Sequence, residues 1–173
     1  VDDYGLVLAS AVSVVGAPGR PADATIRNNT KGKRAFVLKH PDAVVRDLTV
    51  SGTGIYQYNS GHGGHVNMSA GTIENCVITG GYGGAAPSGG HNTSYGGNVY
   101  MTGGRLVRCQ ILNGNTSSGG SNQEDSWGSG IYALGTAVVE NCLIKGNGLA
   151  KPGRAYGGGV CVDGSASVVN CTI

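Results

Sequence analysis

One phrase recurs along the chain, and no other feature restricts its fold as strongly. It reads Gly71-Thr72-Ile73-Glu74-Asn75-Cys76-Val77-Ile78, then Gly104-Arg105-Leu106-Val107-Arg108-Cys109-Gln110-Ile111, then Ala137-Val138-Val139-Glu140-Asn141-Cys142-Leu143-Ile144, then Ser167-Val168-Val169-Asn170-Cys171-Thr172-Ile173. A looser copy from Ala43 to Val50 puts Leu48 in the cysteine slot. The cysteines fall 33, 33 and 29 residues apart. Such a period marks a stacked repeat, in which one unit buries its apolar side chains only against the next.

A second phrase stands ahead of each copy: Gly64-His65-Val66-Asn67-Met68, Gly97-Asn98-Val99-Tyr100-Met101, Gly130-Ile131-Tyr132-Ala133 and Gly159-Val160-Cys161-Val162. Both phrases alternate with period two, so each is a short strand and not a helix. No strand is followed by a helix-length amphipathic segment, which excludes doubly wound sheets and βα barrels. Short strands stacked coil on coil remain, each residue about 4.8 Å from its counterpart in the next coil.

These phrases resemble the "valine, x, Asn-Cys, x, Ile" repeats of bacterial surface proteins in the pectate-lyase-like superfamily, over roughly residues 36 to 173. The resemblance implies an all-β fold, a single-stranded right-handed parallel β-helix of about six coils with three short strands each. The whole chain, 1–173, reads as one domain, with 1–35 as an opening coil and 36–173 as regular coils. It stops inside the repeat phrase at Cys171-Thr172-Ile173. The expectation is therefore a piece of a longer protein, with open coil ends able to associate end to end.

The register follows from the alternation. Val66, Met68, Val99, Met101, Ile131, Ala133, Val160 and Val162 face inward on the first strand, and Ile73, Leu106, Val139 and Val168 on the second. Cys76, Cys109, Cys142 and Cys171 line the third strand with Ile78, Ile111, Ile144 and Ile173. Cysteine there is a small apolar filler, although the disulfide state of these four and of outward-facing Cys161 stays open. Asn75, Asn141 and Asn170, with Asp47 and Arg108 in the same slot, occupy a corner that needs one left-handed residue, which asparagine tolerates best after glycine.

Ser60-Gly61-His62-Gly63-Gly64-His65 holds two histidines among glycines, similar to the histidine signature of pectin-cleaving glycoside hydrolases. Yet Tyr95, Trp127 and Tyr156 occupy the slot of His62 in the later coils. A stacked-ring role is expected, each pair being worth ~0.5–1.5 kcal/mol. Glycosidase chemistry needs paired carboxylates. The outward first-strand positions are Val37 and Lys39, Asn67 and Ser69, Tyr100 and Thr102, Tyr132 and Leu134, Cys161 and Asp163. An enzyme would have to use His62 and Asp163, which lie three coils apart, so no catalytic residue is assigned.

Asn67, Tyr100 and Tyr132 form a polar and aromatic strip suited to sugar rings, and they are the candidate binding residues. Asn122, Glu124 and Asp125 carry the densest oxygen donors for calcium, but a solvated polar loop reads the same and no cofactor is assigned. No Cys/His spacing fits zinc. A net charge of +2 with scattered Lys and Arg excludes nucleic-acid binding. No run of about 18 apolar residues spans a membrane.

Asn-x-Ser/Thr triplets at Asn28, Asn67, Asn92, Asn115 and Asn170 suit a secreted or cell-surface protein. The expected function is a non-catalytic, adhesin-like module whose partner is polysaccharide or a host or cell-surface protein. The alternatives are a polysaccharide lyase or glycoside hydrolase, and a self-associating structural unit.

Overall fold

The computed structural model describes residues 5–30, 32–52, 61–84, 93–117, 125–149 and 154–173. Parallel strands of two to four residues stack into five sheets, every strand pairing with its counterparts in neighbouring coils. The chain is a parallel β-solenoid. The first sheet comprises Leu6–Leu8, Phe36–Leu38, Val66–Met68, Val99–Met101, Ile131–Ala133 and Val160–Val162. The second comprises Ser13–Val15, Val44–Arg46, Thr72–Glu74, Arg105–Val107, Val138–Glu140 and Ser167–Val169. The third runs through Thr25–Asn28, Thr49–Gly52, Val77–Thr79, Gln110–Leu112 and Leu143–Lys145.

Where three strands per coil are expected, the middle coils have five. After the third sheet the chain leaves the barrel through a fourth, Tyr82–Gly84, Asn115–Ser117 and Gly148–Leu149. It returns through a fifth, Gly61–His62, Ser94–Tyr95, Asp125–Trp127 and Arg154–Tyr156. Full turns number about four instead of six. Six rungs occur only in the first and second sheets: the opening coil turns without this excursion, and on the third sheet the last rung is reduced to a single bridge between Leu143 and Thr172.

Register is kept without a slip: Val66, Val99, Ile131 and Val160 are partners in series, as are Ile73, Leu106, Val139 and Val168. Side chains of like shape therefore stack on each other in a narrow core. Met68, Met101, Leu106, Ile111 and Ile131 are fully buried there. Val162 and Ile173, expected inward, are 46% and 72% exposed, because no described coil lies over their rung.

The five cysteines are free thiols. In the core column the Sγ of Cys76, Cys109, Cys142 and Cys171 each donates to the carbonyl two residues back, at 3.2–3.4 Å. Burial pushes the Cys76 thiol up to about 11, so it stays protonated and serves as filler. Leu48 fills the same slot, equally buried.

The corner between second and third sheets is left-handed in the five coils after the opening one: φ is 58° at Asp47, 48° at Asn75, 53° at Arg108, 55° at Asn141 and 51° at Asn170. Asn75 Nδ2 donates to Asp47 Oδ1 at 2.6 Å, one coil back. Asn141→Val, which puts a branched side chain at positive φ, should cost about 1–2 kcal/mol, read as a lower urea midpoint with unchanged slope. Asn141→Gly should cost less than about 1 kcal/mol. Equal losses in the two variants would contradict the left-handed corner.

Candidate functional site

The fifth sheet re-enters the first through a glycine-rich bend. Gly96 and Gly128 have φ of 65° and 59° there, and a Cβ on either would collide with the carbonyl of Val99 or Ile131. Only glycine fits both demands. The bend is re-entrant, as rings carried by the outward faces of the two sheets touch across it. His62 meets Tyr100 edge-on at 4.5 Å between centroids, and Tyr95 meets Tyr132 at 4.8 Å. Each contact joins a fifth-sheet ring to the first-sheet ring of the following coil.

Along the fifth sheet, His62, Tyr95, Trp127 and Tyr156 are strand partners in series, as the spacing predicts. His62 stacks on Tyr95 at 5.1 Å and 4°, and Trp127 on Tyr156 at 3.9 Å and 15°. The ladder parts in the middle: Tyr95 leans on Tyr132 rather than on Trp127. His62, Tyr95, Tyr100 and Tyr132 thus form one four-ring cluster over the corner, a merger of two columns that the alternation of each strand taken alone does not reveal, and Trp127 with Tyr156 forms a separate stacked pair further along the fifth sheet.

Asn67, Tyr100 and Tyr132 do share one outward column of the first sheet, partnered in register. Tyr100 and Tyr132 stack at 5.7 Å and 16°. Tyr132 is only 7% exposed, covered from the fifth sheet, and its hydroxyl donates to Asp163 Oδ2 at 3.3 Å. Burial and then the Asp163 carboxylate raise its pKa to about 12. Asn67 and Tyr100 are half-buried beside it.

His62 and Asp163 are not brought together. Three rungs separate them, about 14 Å at the ordinary strand spacing. Asp163 instead accepts from Tyr132 and from the Gly164 N–H at 2.7 Å. Cys161, on the same column, is half-buried, and burial with Asp163 raises its thiol pKa, which lowers its reactivity. Asn122 and Glu124 lie outside the described residues. Asp125 is held by Arg154 at 3.0 Å, and among the described residues no group of three or more His, Cys, Asp or Glu could hold a metal.

A depression of about 420 Å³ beside Arg46, Asp47, Glu74, Asn75 and Arg108 belongs to the asparagine corner. Its charges neutralise one another, Arg46 with Asp47 and Arg108 with Glu74.

Beneath the aromatic tract lies a polar neck, where the excursion leaves the barrel. His65 is fully buried, its Nε2 3.0 Å from the Thr79 carbonyl, and that tautomer leaves Nδ1 without a partner. Asn98, in the same slot one coil on, donates to Leu112 O at 2.9 Å and accepts from Gly81 N at 2.8 Å. In the next coil the slot is Gly130, and Asn147, in the bend between Leu143–Lys145 and Gly148–Leu149, reaches in to donate to Ile111 O and accept from Gly114 N. The amide thus comes from two different sequence positions, so no repeat in the sequence marks it. Nearby, Arg34 Nε donates to the His62 carbonyl at 2.7 Å and clamps the bend from below.

Compared with protein-family models, curated proteins and solved structures, the chain has no match. No helix among the described residues is long and apolar enough to cross a membrane.

Two outcomes follow from this geometry. Burial lowers the His65 pKa from 6.5 to about 4. The unfolded chain therefore binds the proton more readily, so this stability is complete above pH 6.5 and falls by up to about 3 kcal/mol as pH drops towards 4. His65→Asn, which copies Asn98, should remove that acid sensitivity in urea titrations; an unchanged profile would place the titration elsewhere. His62→Tyr should fold with stability within about 0.5 kcal/mol of the parent, since Tyr95 shows that the slot accepts it. A melting loss of many degrees would contradict the ring-ladder role.

Proposed function

We propose that this chain is a secreted or cell-surface module, adhesin-like, that grips polysaccharide along the corner between first and fifth sheets without cleaving it. Within the same reading it belongs with the pectate-lyase-like solenoids. The observation that carries the proposal is the set of six rings along this corner, a four-ring cluster and a separate stacked pair. Rungs repeat at about 4.8 Å, a length comparable to one sugar ring, so a linear glycan lying along the solenoid axis would meet a new rung of side chains at each sugar.

Where rings stack on each other, their faces are occupied and their rims point outward. Tyr95, Tyr100 and Tyr156 carry hydroxyls and Trp127 a ring N–H, groups that hydrogen-bond sugar hydroxyls, whereas the Tyr132 hydroxyl is taken by Asp163. Asn67 adds an amide beside them. Half-buried rings lose little rotamer freedom on binding, which favours a preorganised grip.

A panel of pectic and non-pectic polysaccharides, with and without calcium, tests this when the same tubes are scored for bound protein and for released reducing or unsaturated ends. Retention without products is expected. Released products would replace the proposal with an enzymatic one, and absence of both would redirect the search to protein partners.

A further inference from the structure

Resting on that reading, the outward face of the fifth sheet carries a more specific site. Asp125 and Trp127 stand two residues apart on one strand, and Arg154 and Tyr156 face them on the next. Trp127 and Tyr156 stack at 3.9 Å, while Arg154 Nε lies 3.0 Å from Asp125 Oδ1 alongside. Both pairs reach solvent: Arg154 is 65% exposed, Asp125 27% and Tyr156 39%. Because Tyr95 leans away onto Tyr132, the indole face opposite Tyr156 has no ring partner among the described residues. The Trp127–Tyr156 pair, set apart from the four-ring cluster, therefore presents one indole face that no ring among the described residues closes.

We propose that Trp127, Tyr156, Asp125 and Arg154 form the principal sugar subsite of this chain, and that it takes neutral, hydroxyl-rich glycans. A pyranose presents a C–H face to an indole and hydroxyls at its rim. At that rim Asp125, whose Oδ1 is buried against Arg154, offers one acceptor, and Arg154 offers donors. As each neutralises the other, the pair offers hydrogen bonds without the unpaired cation that would favour an anionic polymer. Asp163 on the adjoining first-sheet column adds a further negative charge against anionic chains.

Trp127 is the chain's single tryptophan, so its emission reports this site alone. The intact chain is titrated with galactomannan, hydroxyethylcellulose, dextran and alginate, following emission and retention together. A saturable change in Trp127 emission with at least one neutral polymer, and none with alginate, is expected. Arg154→Gln, at an exposed position, should weaken retention at least tenfold, and Trp127→Ala should abolish it with the thermal melt still cooperative. Arg105→Gln, on the second sheet, should leave retention unchanged.

Retention with silent emission, or retention that survives both Trp127→Ala and Arg154→Gln, overturns this subsite while leaving the broader glycan reading intact. Preference for alginate overturns the neutral-glycan assignment. Failure of the wild type to retain any polymer removes both.

Discussion

Everything in this solenoid depends on parallel backbone hydrogen bonds that join each coil to the next in unbroken register. Once that ladder is in step, a residue has no choice of neighbour: it lies about 4.8 Å from its counterpart in the coils above and below. Inside, this forces like upon like, so Val99 sits between Val66 and Ile131, and thiol follows thiol. Outside, it converts a single favourable position into a column. The surface chemistry is thus repeated along an axis, which is the form a polymer can use.

A ladder of this kind is exact only if every coil turns its corners alike. The left-handed asparagine corner does so at one place, and glycine at positive φ does so at the re-entrant bend. The polar neck does it differently. His65 and Asn98 serve the equivalent carbonyls of Thr79 and Leu112, while Asn147 reaches in from the other side to the neighbouring Ile111 carbonyl. What persists there is the hydrogen-bonding requirement and not the residue. A buried carbonyl needs a donor, and any side chain that delivers one at the right height serves.

Much of the fold was legible in the sequence because period-two alternation and a fixed repeat are local signals. The inward columns, the asparagine corner and the ring ladder of His62, Tyr95, Trp127 and Tyr156 could be read off the alignment of coils. The fourth and fifth sheets could not. Tyr82–Gly84 and Asn115–Ser117 hold no apolar alternation, and they pair only because the coils already lie in register. For the same reason Tyr132 reads as an exposed outward residue, whereas the re-entrant bend folds Tyr95 over it. Alternation tells which face of a strand a side chain takes. It does not tell whether another strand returns to cover that face, nor that the ladder opens between Tyr95 and Trp127.

The most direct test of coil register and of the merged aromatic tract is a two-dimensional nuclear Overhauser spectrum of the aromatic protons, assigned residue by residue. Cross-peaks are expected between His62 and Tyr95, between Trp127 and Tyr156, and between Tyr95 and Tyr132, pairs separated by 33, 29 and 37 residues. A spectrum lacking these long-range contacts would contradict the stacked coils. One joining Tyr95 to Trp127 in place of Tyr132 would keep the coils but close the ladder, and with it the platform on which the sugar subsite rests.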